Sequence, residues 1–126
     1  MKKILVVLLA CLSLFTATVQ AKDGGTLYVK LGTFTVNLQN IDEYVQAEIT
    51  VKLAAPEILD AVKIYLPRIK HEIILLLSTQ DSQQLATLAG KQKLIEQTKT
   101  MVNKALKLEP KDGVTDVLFE SFVIQQ

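Results

Sequence analysis

From Val45 to Leu53 apolar and polar residues alternate without a break, with Val45, Ala47, Ile49, Val51 and Leu53 interleaved by Gln46, Glu48, Thr50 and Lys52. Side chains of an extended chain point to opposite faces in turn, so this run buries its apolar set only as a strand with one dry and one wet face. Such a strand is the usual partner in an antiparallel hairpin. The chain before it supplies the other half. Leu27, Val29 and Leu31 alternate in one phase, and Phe34, Val36 and Leu38 alternate in the opposite phase. The phase changes at Gly32-Thr33, where an extra residue in a β-bulge returns the apolar set to the core side. The pattern predicts one bulged strand over 27–38, joined to the second by the polar connector Gln39–Glu43.

The periodicity then lengthens. Pro56 suits the first position of a helix, where its missing N–H costs nothing. Ile58, Val62, Tyr65, Leu66, Ile69, Ile73, Leu76 and Leu77 follow at the spacing of one helical stripe. Pro67 falls inside that stripe and predicts a kink or break, because a straight helix through it would lose about 3 kcal/mol. Asp81, with Gln84 three residues on, has the form of an N-cap for a short helical turn through Leu85 and Leu88. Gly90 is expected at a hinge or cap, before a longer helix carrying Leu94, Ile95, Thr98, Met101, Val102, Ala105 and Leu108. Pro110-Lys111-Asp112-Gly113 is a turn signal. The last segment, Val114 to Ile124, has apolar residues in both phases, as expected of a strand covered on both faces. The order β-β-α-α-β describes an α+β domain: a small three-stranded sheet, antiparallel or mixed, with both helices packed on it.

The first residues belong to a separate element. Met1-Lys2-Lys3 is basic, Ile4 to Phe15 is almost wholly apolar, and Val19-Gln20-Ala21 has the small-x-small form of a cleavage site. Twelve apolar residues of helix span roughly 18 Å against a hydrocarbon core of about 30 Å. The segment 1–21 is therefore expected to be a secretory signal peptide, cut between Ala21 and Lys22, with 22–126 as the exported domain. Two other readings stand beside it. Leu8-Leu9-Ala10-Cys11 has the form of a lipoprotein signal acylated at Cys11, and Ile4 to Ala21 uncut would be a short membrane anchor. After cleavage, Lys22 to Gly25 is a flexible lead, and the chain keeps no cysteine and so no disulfide or thiolate chemistry. Of fourteen basic residues, removal of Lys2 and Lys3 leaves twelve against thirteen acidic ones, a formal charge of −1. That balance gives no reason to expect nucleic acid or an anionic membrane as partner.

A search for reactive groups finds none assembled. His71 is the single histidine, no G-x-S-x-G elbow is present, and Ser78, Ser82 and Ser121 sit in unrelated contexts. One histidine and scattered carboxylates make no closed zinc site, and no glycine loop cradles phosphate, so neither metal nor cofactor is expected. Asp42-Glu43 reads as a solvated connector and Glu57/Asp60 as acids placed at a helix start. Between Lys91 and Lys107 five lysines (91, 93, 99, 104, 107) face one acid, Glu96. They form either a docking face for an acidic partner or a solvated helix face. A core without a reactive constellation points to an interaction domain and not to an enzyme.

Several segments, taken together and in order, resemble a known family. They are Phe34-Thr35-Val36-Asn37-Leu38; Leu66-Pro67-Arg68-Ile69 leading to Ile73–Ser78; Leu88-Ala89-Gly90-Lys91 through Leu94; and Val117-Leu118-Phe119 through Phe122–Gln125. This series, from Tyr28 to Gln125, resembles the FliL family of flagellar basal-body-associated proteins. The resemblance implies a stomatin-like fold, homo-oligomeric rings, and a periplasmic position beside the stator units of the flagellum, near the inner membrane. It implies a mechanical role in rotation and motility. FliL proteins usually retain an N-terminal membrane helix and a linker, whereas here the apolar segment is short and removable. That departure matches a signal-peptide-bearing FliL-like paralogue acting as a periplasmic partner. A general periplasmic adaptor or assembly factor unconnected with motility is the alternative.

Overall fold

The computed structural model describes residues 27–126. The expected cleavage between Ala21 and Lys22, the alternative acylation of Cys11 and the alternative membrane anchor all lie outside the described residues.

Two ten-residue strands open the fold: β1, Tyr28–Asn37, and β2, Tyr44–Leu53. They form an antiparallel hairpin in which Val36 faces Val45 and Val29 faces Val51. The register shifts between Lys30 and Gly32, leaving Leu31 as the extra residue. This is the bulge that the phase change required. Leu31 turns into the core, 2% exposed, and Phe34, Val36 and Leu38 follow it there. Gly32, beside it, has φ +119°, a conformation that side-chain-bearing residues rarely adopt. The connector is closed by Asn40, whose Oδ1 accepts from Asp42 N (3.1 Å) and whose Nδ2 donates to Glu43 Oε1 (3.0 Å).

The helical layer follows. Helix α1, Ile58–Ile64, begins two residues after Pro56, which sits in the preceding turn and not at the first helical position. Tyr65 interrupts the helix, and α2, Leu66–Ser78, resumes with Pro67 in its first turn, so the predicted break is a single residue. Asp81 caps the four-residue α3, Ser82–Leu85, by accepting from Gln83 N. Thr87 caps α4, Leu88–Leu106, accepting from Gly90 N at 2.9 Å. Gly90 is therefore neither hinge nor cap but an ordinary helical residue. A β-carbon there would lie 1.8 Å from the carbonyl oxygen of Gln84, so only glycine lets α3 approach so closely. Helix α4 ends at Lys107, in the left-handed conformation (φ 60°), with Leu108 N donating to Asn103 O.

Strand β3, Val114–Gln125, pairs antiparallel with β2, making the order β1-β2-β3. The sheet is antiparallel throughout, which settles the expectation of an antiparallel or mixed sheet. One feature of β3 differs from expectation. Apolar residues lie on both of its faces, but among the described residues only one of those faces is covered. The register slips between Ile49↔Phe119 and Glu48↔Ser121, so Glu120 is an extra residue. Val117 and Phe119 face the core before this bulge, and Phe122 and Ile124 face it afterwards, opposite Ala47 and Val45. Leu118 and Val123, on the other face, are 37% and 43% exposed. Among the described residues the sheet is covered on one face, by α2 against β1 and α4 against β3.

Asn103 joins the two layers. It is 2% exposed, and its amide donates to Val114 O (2.9 Å) and accepts from Val114 N (2.7 Å), as a neighbouring strand would. Replacement by leucine leaves both backbone groups of Val114 buried without these partners, and an uncompensated buried group costs about 1–3 kcal/mol. Urea denaturation of Asn103→Leu is expected to show a loss of about 2–4 kcal/mol. Gly32→Ala tests the bulge separately. The added β-carbon meets nothing closer than Lys70 Nζ at 3.9 Å, so any loss is conformational and is expected at about 1–3 kcal/mol in the same assay.

Candidate functional site

Helices α2 and α4 pack against one another, and Ile69, Ile73 and Leu77 of α2 and Leu94 and Val102 of α4 are buried beneath. On the solvent side the same two helices leave a groove of about 850 Å³. Its floor is largely apolar, formed by Tyr65, Leu76, Met101 and Ala105 with Thr100 and Gln97 between them. Gln97 Oε1 is buried there without a hydrogen-bond partner among the described residues. An unmet acceptor of that kind costs about 1–3 kcal/mol.

The rim is charged, and its charges differ in what they already hold. On the α2 side, Arg68 Nε and Glu72 Oε1 are 3.3 Å apart, four residues apart on one helix face. On the α4 side, Glu96 Oε2 lies 3.4 Å from Lys99 Nζ. Lys93, Lys104 and Lys107 also line the groove, and none has an ion-pair partner among the described residues. The five lysines from Lys91 to Lys107 are thus separated by their surroundings. Lys91 lies over the ring of Phe122, 5.8 Å from its centroid, and Lys99 holds Glu96. The other three stand free along one wall.

His71 and the serines are not brought together. His71 is exposed on α2, and the adjacent Glu72 is engaged by Arg68. Ser78 lies seven positions further along the same helix, about 10 Å of rise, and its hydroxyl donates to Leu75 O. Ser82 opens α3 and Ser121 lies opposite Glu48 on β3. Asp42 and Glu43 belong to the hairpin connector, where Asn40 orders them, and Glu57 and Asp60 lie at the start of α1. Among the described residues no group of three or more His, Cys, Asp or Glu side chains is placed to hold a metal ion. Sequence reasoning passed over Asn103 and Gln97. Both are amides on a helix otherwise read from its apolar stripe, and amides carry no pattern that separates a buried one from a solvated one.

The uncovered sheet face is the second broad surface. Rows of three residues cross it, one from each strand. Tyr28, Lys52 and Asp116 form one row, with Lys52 Nζ 5.8 Å from the Tyr28 ring centroid. Thr50, 6% exposed, donates its hydroxyl to Glu120 at the β3 bulge. This face is mostly polar, with Tyr28, Leu118 and Val123 its larger exposed apolar side chains. No helix of the described residues is long and apolar enough to cross a membrane.

Comparison with known proteins agrees with the resemblance. The family model "Flagellar basal body-associated protein FliL" matches residues 28–125, which takes in every strand and helix described above. The flagellar protein FliL of Escherichia coli K12 is 37% identical over 100 residues, 79% of this chain. The FliL proteins of Escherichia coli O157:H7 and Shigella flexneri match to the same extent. The matched region is 65% of the length of each of these relatives. This chain is a member of the FliL family of flagellar basal-body-associated proteins.

Proposed function

We propose that the chain is a non-enzymatic accessory of the flagellar basal body, acting in the periplasm beside the stator and supporting rotation under load. The observation that carries this reading is the family match, which runs from the first strand to the last without omitting an element. The surfaces are consistent with work done by contact. The chain presents a grooved helical layer and a flat polar sheet, and its single histidine is exposed beside an acid already engaged elsewhere. Delivery by a signal peptide cut between Ala21 and Lys22 belongs to the same proposal, as do association with stator or basal-body proteins and assembly into homo-oligomers close to the inner membrane.

Deletion of the gene in its own host is expected to impair swarming on stiff agar more than swimming in liquid. Both the wild-type chain and His71→Ala are expected to restore motility. Unchanged motility at every load would overturn the flagellar reading. Failure of a normally accumulating His71→Ala chain to complement would instead reveal chemistry at that residue.

A further inference from the structure

We propose that the α2–α4 groove is the docking site for an acidic amphipathic helix of a partner protein, clamped by Lys93, Lys104 and Lys107. The inference rests on the groove alone and not on the flagellar reading. The trough is bounded by α2 from Tyr65 to Leu76 and by α4 from Lys93 to Lys107. At 1.5 Å per residue these walls are roughly 16 and 21 Å long, room for three to four turns of a third helix. A helix lying between two packed helices places its apolar stripe in the seam, and Tyr65, Leu76, Met101 and Ala105 line that groove.

Charge decides the character of the occupant. The α2 wall is internally neutralised, because Arg68 is spent on Glu72. On the α4 wall Glu96 is held by Lys99, so the net field comes from three lysines without ion-pair partners among the described residues. The occupant therefore carries its acids on the flank turned towards α4, opposite an apolar stripe. A polyanion such as nucleic acid would use the lysines but leave the apolar floor unfilled. Among the described residues a second copy of this chain supplies no helix with an acidic flank: α1 carries Asp60 and Lys63, α2 carries Arg68, Lys70 and Glu72, and α4 carries four lysines against Glu96.

The test is photo-cross-linking in the native host with benzoylphenylalanine in place of Thr100, on the full chain, with the captured peptide identified by mass spectrometry. The expected product is a segment of another protein that is acidic on one side and apolar at helical spacing on the other. The combined variant Lys93→Glu, Lys104→Glu, Lys107→Glu is expected to lower its yield by about tenfold or more. Equal charge reversal outside the groove, at Lys63, Lys70 and Lys111, is expected to leave it unchanged, with thermal melts confirming that both variants fold. Cross-links only to copies of this chain, capture of a basic or uncharged segment, nucleic acid or no product, or equal loss in both variants would each overturn the proposal. Motility need not be scored, so this outcome is separate from that of the flagellar reading.

Discussion

The apolar face of the sheet depends on extra residues in the strands that flank β2, two of them level with one another at its middle and a third, Thr115, near the start of β3. β2 alternates without interruption, and the strands on either side each insert one residue where they meet its middle: Leu31 beside the Gly32–Ile49 pair, and Glu120 next to the Phe119–Ile49 pair. Side chains alternate with a period of two, so omission of either bulge would turn half of that strand inside out. Phe34 and Val36 would leave the core on one side, and Phe122 and Ile124 on the other. The bulges therefore keep three strands committed to one dry face over their full length. With only one dry face, the helices must gather on that side, and their own outer surfaces become the solvent-facing relief of the molecule.

That relief follows from how the helices are stopped and anchored. Pro67 ends the α1 axis at Tyr65 and lets α2 start afresh along β1. Gly90 permits α3 to press against the first turn of α4, and Asn103 ties the last turn of α4 to the entry of β3 through Val114. Both ends of α4 are thus fixed, one by close approach and one by hydrogen bonds. The groove between α2 and α4 is accordingly a trough between two anchored helices.

Much of this was legible in the residues, and the omissions have physical reasons. The bulge in β1 could be read because a glycine marks the phase change. The equivalent change in β3 occurs at Glu120-Ser121, which look like any polar pair, so the doubled pattern there read as a strand buried on both faces. The break at Pro67 and the cap at Asp81 are local and were read correctly. Asn103 was not, because its role depends on Val114, eleven residues away across a turn. The lysine-rich helix was visible as composition. Which of its lysines are occupied depends on a ring in β3 and an acid one turn away, and only the fold discloses that Lys93, Lys104 and Lys107 remain to line a groove. The FliL family match spans residues 28–125 and so takes in both bulged strands, the break at Pro67 and the lysine-rich helix.

The paired bulges can be checked directly through cross-strand nuclear Overhauser contacts between β2 and β3 in the isotope-labelled chain. The structure predicts Ile49 opposite Phe119 and Glu48 opposite Ser121, with Glu120 skipped and Phe122 facing Ala47. An unbroken ladder, with Glu48 opposite Glu120 and Phe122 opposite Gln46 on the wet face, would contradict the single-faced core and everything built upon it.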